Sequence, residues 1–523
     1  MMIKSFALSL LFLFVGTTVF GQNGVIKGTI KDDEGKPVFN ASVVIEGKSR
    51  GAFSNDKGYY EISLLEAGTY TLVFKNVGYK NITKQASLTN GQILVLDVNF
   101  GSAEKELDEV VVIGYGTTRT KDLTGSAAVI NEKNFVQGSV STPEQLIQGK
   151  VAGVKINTND GAPGGGSTIR LRGGTSINAS NDPLIVVDGV PLDNGGIAGA
   201  SNPLSLINPN DIASFVVLKD ASATAIYGSR GANGVILITT KKGDGGSSDK
   251  LKVVFDTKNS LSTIAKYADV LNGDEYRALV NAKGTTAQKA LLGTANTDWQ
   301  KEVFRAALIT DNNVSIMGGI KKLPYRLSFG NRYENGILLT DNFNRTSVSL
   351  NLTPTFLKNH LALEINNRYV HTNSTFANRG ALGAAFFDPT QSVYSGNSSY
   401  DGYFEWIKNG KPNVLAARNP LGLINSRADL SSVNRYIGNA KISYKLPFFP
   451  QMKAVLNLGI DQSEGTGTVT TKASSASGFY TRGSYNEYRQ SKGNKLIEAY
   501  LNYNNADKKS KHLIDLTAGY SFQ

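Results

Sequence analysis

Cysteine is absent from the 523-residue sequence, and histidine is rare. Without cysteine, the chain forms no disulfide, no cysteine-ligated zinc or iron–sulfur centre and no thiol nucleophile. The three histidines, His360, His371 and His512, leave little material for a histidine metal cluster. We therefore expect no cofactor, no bound metal and no catalytic residue.

Charged side chains are also sparse, at 19% of residues, below the ~25% of an average globular protein. The net charge is +12, but the basic residues are spread along the chain without a long Lys/Arg run. Diffuse positive charge is typical of solvated loops and not of a phosphate-binding stripe, so we expect no nucleic-acid partner. Glycine, in contrast, is abundant at 55 residues, which favours many turns and short strands.

The long apolar run of this sequence lies at its N-terminus, at residues 6–20, after the positive Lys4. Val19 and Gly21 occupy the positions where a signal peptidase requires small residues. We predict that residues 1–22 are a secretory signal peptide, in preference to a retained membrane anchor, because the run is short for a span. No later stretch is apolar enough for a spanning helix, so this exported protein would have to lie in a membrane as a barrel.

Residues 23–100 have the pattern of a small all-β domain. Short alternating runs at 25–30, 41–45, 59–63, 69–74 and 93–98 are separated by Gly-, Asp- and Pro-containing turns. Even spacing of this kind predicts a β-sandwich. Its motifs, Gly28-Thr29-Ile30, Gly35-Lys36-Pro37, Asn55-Asp56-Lys57-Gly58 and Gly68-Thr69-Tyr70, resemble the carboxypeptidase-regulatory-like (transthyretin-like) domain, which implies an accessory module without peptidase activity.

The string Gly47-Lys48-Ser49-Arg50-Gly51 also fits the G-x-S-x-G motif of serine hydrolases. That motif needs a strand before it and a helix after it, whereas here turns and β-runs flank it. We interpret it as a chance match in a loop.

Residues 101–117 join a charged segment directly to four β-branched residues and a Gly-Tyr-Gly turn. The pattern predicts an extended strand without its own hairpin partner: either an edge strand of a neighbouring domain or a strand offered to another protein's sheet. The segment resembles the TonB box of SusC/RagA-type outer-membrane transporters. That resemblance implies that TonB binds Leu107, Asp108, Glu109, Val110, Val111, Val112 and Ile113.

Residues 118–245 mix short strands, helical turns and many glycines. The glycine-rich loop at 161–167 lacks the Gly-Lys-Ser/Thr ending of a phosphate-binding loop and precedes a strand, so we reject a nucleotide site there. Blocks at 170–177, 182–191, 202–212 and 217–243 are similar, nearly residue for residue, to the plug domain of SusC/RagA-family transporters. The resemblance implies a plug motif of Arg170, Arg172, Gly173, Asp188, Gly189, Arg230 and Gly231.

Two interpretations of the charged residues in this motif remain open. Arg170, Arg172 and Asp188 could serve as binding or catalytic charges, or they could form buried ion pairs that fix the plug. We favour the ion pairs, because plug loops pack against a polar barrel wall.

Residues 246–523 change to longer strands with one apolar and one polar face, often ending in Tyr or Phe. This dyad pattern is typical of a transmembrane β-barrel with aromatic residues at the membrane interface. We count about nine such strands, too few to enclose a plug, since plugged barrels have about 22 strands. The predicted fold is therefore mainly β: a β-sandwich, an α+β plug and the truncated N-terminal part of a large antiparallel barrel.

The family resemblance implies TonB-dependent import of an oligosaccharide or a peptide across the outer membrane of a Gram-negative bacterium. The implied partners are periplasmic TonB, a SusD-like surface lipoprotein, the ligand and outer-membrane lipid, and no enzymatic activity is expected. The alternative is a non-transporting surface or secreted adhesin, which would need neither the plug blocks nor the TonB box. Loop aromatics suit either sugar stacking or, as we favour, interface and lid contacts: Tyr394, Tyr400, Tyr403, Phe404 and Trp406.

Overall fold

The computed structural model describes residues 23–523 except for several gaps. The predicted signal peptide lies outside the described residues, and of the segments 110–112 and 117–119 only the backbone is described. The chain divides into two compact units at residues 110–121. Every helix in the described part of the chain is too short or too polar to span a membrane. The gaps are 33, 34, 49, 77, 78, 80, 101–109, 113–116, 120–126, 159, 160, 174–176, 179, 194, 244–250, 321, 397 and 506–513.

The N-terminal unit is a two-sheet sandwich, as predicted. One sheet has the order β4-β1-β7, with β8 also paired to β1, and the other has the order β3-β2-β5-β6. Alternate residues of β1, Ile26 and Ile30, are fully buried between the sheets with Leu72 and Phe74 of β5. The strands are β1 (Gly24–Lys31), β2 (Ser42–Ile45), β3 (Gly51–Phe53), β4 (Tyr59–Leu65), β5 (Gly68–Lys75), β6 (Ile82–Leu88), β7 (Ile93–Val95) and β8 (Val98–Asn99).

The hydrolase-like string lies between β2 and β3, which pair antiparallel with each other. Its flanks therefore form a β-hairpin and not the strand-to-helix turn of a nucleophile elbow. Ser49 itself lies outside the described residues.

A short hairpin follows the sandwich in the chain. Strand β9 (Val110–Val112) pairs with β10 (Thr117–Arg119) in a two-stranded sheet. The expectation that this strand has no hairpin partner is therefore wrong.

The predicted plug is a five-stranded mixed sheet, ordered β11-β16-β17-β14-β15, with a separate pair β12-β13. Strand β14 is buried on both faces, since Ile185 and Val187 face one apolar cluster while Leu184 and Val186 face another. The strands are β11 (Ala127–Asn131), β12 (Val154–Thr158), β13 (Ser167–Leu171), β14 (Leu184–Val187), β15 (Val190–Pro191), β16 (Ile212–Leu218) and β17 (Val235–Thr240).

Helical elements in this domain are short. One is the α-helix α1 (Ala221–Thr224). The others are 3₁₀ turns at Glu132–Asn134, Pro143–Ile147, Pro203–Leu206, Pro209–Asp211 and Ala225–Gly231.

The C-terminal part forms one large antiparallel sheet, which we call the barrel sheet. Nine long strands pair in the order β18-β19-β20-β21-β23-β26-β27-β28-β29, and short β22 pairs with β23. The longest register joins β27 to β28 over twenty residue pairs. The strands of the barrel sheet are β18 (Lys252–Ser262), β19 (Ala307–Ile320), β20 (Leu323–Asn335), β21 (Asn342–Leu352), β22 (Thr355–Phe356), β23 (Leu361–Thr375), β26 (Arg427–Lys445), β27 (Met452–Thr471), β28 (Ser484–Asn504) and β29 (Asp515–Phe522). Two short strands, β24 (Ile407–Lys408) and β25 (Lys411–Pro412), pair with each other in a separate sheet.

Because successive strands run antiparallel, the two long connections, 263–306 and 376–426, lie at the same end of the barrel sheet. They share an apolar core in which Trp299 meets Phe387 edge-to-face, with ring centroids 4.7 Å apart. Their helical elements are α2 (Gly273–Lys283), α3 (Thr286–Lys289), α4 (Trp299–Val303) and α5 (Pro420–Ser426), with 3₁₀ turns Arg379–Phe386 and Ser399–Gly402. A further 3₁₀ turn, Leu357–Asn359, lies at the opposite end.

Candidate functional site at the plug–barrel contact

The barrel strands turn their polar faces toward the plug. In β20, Arg326, Ser328 and Arg332 are buried, whereas the alternating Leu327 and Phe329 are about half exposed. Successive side chains of a strand point to opposite faces, so one face of β20 is polar and lines the lumen, while the other face is apolar and forms the outer surface. The polar face is therefore where the barrel sheet can hold the plug.

Residues 202–211 of the plug, which we call the anchor segment, contain two Asn-Pro pairs. Asn202 accepts a hydrogen bond from the Leu204 amide and begins one 3₁₀ turn, and Asn208 does the same for Asn210 and the next turn. Proline suits the first turn of a helix because its missing N–H would have no partner there. The two tight turns leave backbone carbonyls between them available to the barrel.

Two buried arginines of the barrel sheet bind these carbonyls. Arg345 donates through Nη1 to the carbonyls of Ser141, Ser205 and Ile207, at 3.0–3.1 Å. Arg435 donates to the Pro203 carbonyl at 2.9 Å, while a bidentate pair with Asp461 fixes its guanidinium. A planar donor fork suits such multiple acceptors, and a lysine would not replace it.

Asp211, at the end of the anchor segment, is the acidic partner of this contact. Its carboxylate accepts from Ser328 at 2.7 Å and from Ser349 at 3.0 Å, and it pairs with Arg326 at 2.9 Å. Both members of the ion pair are less than 5% exposed. A buried carboxylate with three partners is well satisfied, whereas the loss of one partner would leave a buried charge uncompensated.

A second cluster surrounds Arg332. Within the barrel sheet, its guanidinium pairs with Asp311 of β19 and with Glu334 of β20. Toward the plug, it donates to the Ser141 hydroxyl and to the Val140 carbonyl. Asn208 adds a further link, since its amide donates to Asn313 at 2.8 Å. Plug and barrel are thus joined by buried, mostly charge-assisted hydrogen bonds.

Among the predicted motif residues, Asp188 and Gly189 form the tip of the β14–β15 hairpin. Both have positive φ, 48° and 86°, as a two-residue type I′ turn requires and as Asp-Gly accommodates best. The Asp188 carboxylate accepts from the amide and hydroxyl of Thr240 and pairs with buried Arg368 at 3.2 Å. For Asp188, the sequence favours a buried ion pair over a binding or catalytic charge, and the structure shows a buried ion pair between the plug and the barrel sheet.

The other charged motif residues lie elsewhere. Arg170 pairs with Asp182, and Arg172 pairs with Asp220 at 2.7 Å, in both cases with solvent access to the side chains. Arg230 donates to Gln523. The structure therefore does not bring these arginines together with Asp188, and their ion pairs are exposed, not buried.

The two remaining motif glycines have different surroundings. A Cβ at Gly231 would lie 2.8 Å from the Thr224 carbonyl, so the chain approaches too closely there for another residue. Gly173 has a positive φ of 100° and open space around it.

Of the predicted TonB-binding residues, the structure describes the strand Val110–Val112 as the first strand of the β9–β10 hairpin. Leu107, Asp108, Glu109 and Ile113 lie outside the described residues.

A buried carboxyl group, Glu144, lies inside the plug. Its Oε1 accepts from the Asn202 amide at 3.2 Å. Among the residues that the structure describes, Oε2 and the nearby hydroxyls of Thr142 and Ser167 find no hydrogen-bond partner. Burial raises the pKa of Glu144 above its usual range.

The loop aromatics take a role that the sequence did not suggest. Phe404 and Trp406 meet edge-to-face at 5.1 Å and pack against the apolar core of the two long connections. Tyr394 stacks on Tyr403 at 5.3 Å and remains exposed. Tyr400 contacts Phe479 of the next loop. Much of this aromatic surface therefore holds the loops together.

Comparison with known proteins agrees with this architecture. Residues 26–112 match the CarboxypepD_reg-like domain family, and residues 119–235 match the TonB-dependent receptor plug domain family. The described fold, in which a plug is held against part of a barrel sheet, agrees with both matches and confirms the expected TonB-dependent plug domain.

Its relatives are receptors of the SusC type. The chain is 40% identical over 509 residues to TonB-dependent receptor SusC of Bacteroides thetaiotaomicron, an alignment that covers 94% of this chain and 49% of the relative. It is 31% identical to TonB-dependent receptor P3 of Formosa agariphila, with 98% and 50% covered. The chain thus spans about half the length of these curated relatives, and the predicted resemblance to the SusC/RagA family is confirmed.

The fold is also that of a solved transporter. The RagAB peptide importer in its closed-closed state superposes with a TM-score of 0.64 over 76% of this chain and 47% of that chain, at 21% identity. Its open-open state gives a TM-score of 0.62. These superpositions confirm the mainly β fold expected from the sequence. The matches to SusC and to the plug family confirm the expected outer-membrane localisation.

Proposed function

We propose that the protein is a TonB-dependent importer that carries an oligosaccharide or a peptide across the outer membrane. The observation that carries this proposal is the buried plug–barrel contact, in which arginines of the barrel sheet hold the anchor segment closed. A plug fixed in this way closes the lumen of the barrel, and a lumen that is closed at rest needs a force from another protein, here TonB, to open it.

We assign residues 23–100 to an accessory domain, 101–117 to a linker, 118–245 to the plug and 246–523 to the barrel. In this scheme TonB pairs with residues 107–113 by strand addition, where main-chain hydrogen bonds provide affinity. Because β9 is already paired with β10, TonB adds to the edge of β9 that has no partner strand among the described residues, or it displaces β10. Force applied there reaches the plug through the chain that follows.

The partner at the outer face would be a SusD-like lipoprotein, which captures the ligand over the two long connections. Long loops mark the extracellular end of an outer-membrane barrel, and short turns mark the periplasmic end. No covalent chemistry is needed, since the work done is conformational.

The proposal is tested by nutrient depletion in the native host, with the receptor encoded at its own locus. Cells are given a tryptic digest of casein mixed with a partial acid hydrolysate of plant polysaccharide, and mass spectrometry follows the loss of each component. We expect a set of peptides or oligosaccharides to be depleted by the wild type and not by a variant in which a Gly-Ser linker replaces residues 107–113.

The matched control replaces residues 102–106 instead and should keep the wild-type depletion rate. Equal depletion by all three strains would contradict the proposal and favour an adhesin.

A further inference from the structure

At the end opposite the two long connections, short connections join the barrel strands in pairs: β19 to β20, β21 to β23, and β26 to β27. We call these three connections, together with Lys445 at the end of β26, the rim. The Thr355 amide donates to the Lys322 carbonyl, and the Lys445 amide donates to the His360 carbonyl, so each connection is tied to the next. All six strands have both of their neighbours within the barrel sheet, so the rim is defined by this chain itself.

The rim is basic. Lys322, Lys358 and Lys445 are exposed, and residues 320–324, 353–360 and 445–452 contain no Asp or Glu that could neutralise them. The long connections at the other end carry both signs of charge, and two of their lysines, Lys266 and Lys301, pair with nearby aspartates. Unpaired positive charge therefore distinguishes the rim from the opposite end of the barrel sheet.

Exposed apolar side chains lie among these lysines. Phe356 and Leu357 are 47% and 62% exposed, and Phe448 is 84% exposed. Phe449 stacks on Tyr503 of β28, with ring centroids 5.6 Å apart. Aromatic rings beside lysines are typical of a membrane interface, where the rings enter the acyl boundary and the long lysine side chains carry their amines to the headgroups.

The outward face of β23 and β26 gives the depth of the rim in the membrane. The cross-strand partners Tyr369 and Tyr436 are partly exposed, and the next outward pair toward the long connections is the polar His371 and Asn434. From Leu361 to Tyr369 the strand rises about 27 Å, at ~3.4 Å per residue. At a strand tilt of ~40° this is roughly 21 Å along the membrane normal, close to the apolar band of about 25 Å in outer-membrane barrels. With the tyrosines at one boundary of this band, the rim lies at the other boundary, among headgroups.

The charge of the rim selects among headgroups. A zwitterionic headgroup such as that of phosphatidylethanolamine brings an amine as well as a phosphate, whereas an anionic headgroup brings negative charge alone. Each lysine near a membrane surface attracts anionic lipid, and the attraction falls off within about a Debye length. Lysines on three successive connections therefore favour an anionic phospholipid.

We propose that the rim is a binding site for anionic phospholipids of the inner leaflet. Lys322, Lys358 and Lys445 donate to the headgroup phosphates, while Phe356 and Phe449 enter the acyl boundary beside them. This inference goes beyond the proposed function and does not depend on import.

The test is native mass spectrometry of the full receptor in detergent, with dioleoyl phosphatidylglycerol or dioleoyl phosphatidylethanolamine added at equal concentration. The wild type should retain at least three-fold more phosphatidylglycerol than phosphatidylethanolamine. The rim variant, which combines Lys322→Gln, Lys358→Gln and Lys445→Gln, should retain the two lipids equally. Equal retention by the wild type, or an unchanged preference in the rim variant, would overturn the inference.

The matched control removes three lysine charges from the long connections and combines Lys266→Gln, Lys301→Gln and Lys408→Gln. It should keep the wild-type preference for phosphatidylglycerol, because these residues lie at the other end of the barrel sheet. Loss of the preference in the control as well as in the rim variant would show an effect of net charge alone and would overturn the inference.

A second measurement needs no substitution. The wild-type receptor in nanodiscs is irradiated with a phosphatidylglycerol that carries a photoreactive diazirine in its headgroup, and mass spectrometry locates the labelled peptides. Label should be at least three-fold more frequent at residues 353–360 and 445–451 than at the other membrane boundary, residues 370–375 and 427–434. Equal labelling of the two boundaries, or more label at the second, would contradict a site at the rim.

Discussion

Replacing Arg345 with methionine should loosen the anchor segment while the barrel sheet stays folded. Methionine keeps much of the side-chain length and removes the guanidinium that binds the carbonyls of Ser141, Ser205 and Ile207. Each buried carbonyl that loses its partner costs about 1–3 kcal/mol. Because one nitrogen serves all three, the separate costs do not add, and we expect a total of about 3 kcal/mol.

Hydrogen–deuterium exchange of the full receptor in detergent measures this loss directly. Several amides of the anchor segment are hydrogen-bonded, among them those of Leu204, Ile207 and Asp211, so their exchange reports its opening. Since 1.4 kcal/mol corresponds to a factor of ten, their protection should fall roughly 100-fold in R345M. Amides of strand β5 in the N-terminal sandwich should exchange as in the wild type.

The matched control is Arg427→Met in the same barrel sheet. Arg427 pairs with Asp429 at 2.7 Å near the surface, and an exposed pair contributes at most about 1 kcal/mol. Because about 1 kcal/mol corresponds to a factor of roughly five, protection of the anchor segment should change less than five-fold in R427M. A change in R345M no larger than that in R427M would refute the conclusion that buried arginines hold the plug.

Two further substitutions address the buried carboxyl groups. Asp211→Asn leaves the Arg326 charge without its partner, so it should lower the free energy of plug unfolding by about 3–5 kcal/mol in a urea titration, well beyond Ser349→Ala; equal effects would contradict the ion-pair argument. Glu144→Gln should act in a pH-dependent way. Because the folded pKa of Glu144 is raised, the stability that the neutral carboxyl contributes is complete at acid pH and is lost as pH rises through the folded pKa. The E144Q variant should therefore unfold at the same urea concentration as the wild type in acid and at a higher concentration at alkaline pH; a wild type that is more stable at pH 8 would contradict this.

The sequence predicted the strands with clear alternation and missed those without it. The five predicted runs of the sandwich correspond to β1, β2, β4, β5 and the two short strands β7 and β8. Strands β3 and β6 were missed; β6 reads Ile-Thr-Lys-Gln-Ala-Ser-Leu and has little apolar signal. In the barrel sheet, apolar alternation in the sequence covers residues 454–460, whereas β27 extends over Met452–Thr471. Its second half is rich in Gly, Thr and Ser, and main-chain pairing with β26 and β28 continues there without apolar side chains.

The plug motif was predicted by resemblance, but the residues that hold the plug were not. Arg326, Arg345 and Arg435 each occupy a polar-face position of a strand, where sequence alone predicts contact with water. Their burial depends on which plug carbonyls and carboxylate come to face them, and that is decided by pairings across more than one hundred residues of chain. The one usable signal was the pair of Asn-Pro turns in the anchor segment.

The proposed import requires above all that TonB binds at strand β9, and calorimetric titration of the purified receptor with the periplasmic domain of TonB measures this binding directly. Proline at position 111 removes a main-chain donor and fixes φ, so Val111→Pro disfavours strand addition, whereas Val111→Thr keeps the backbone and a β-branched side chain. We predict that the wild type and V111T bind with similar affinity and that V111P binds at least ten-fold more weakly. Equal binding by V111P, or no binding by the wild type, would contradict the account.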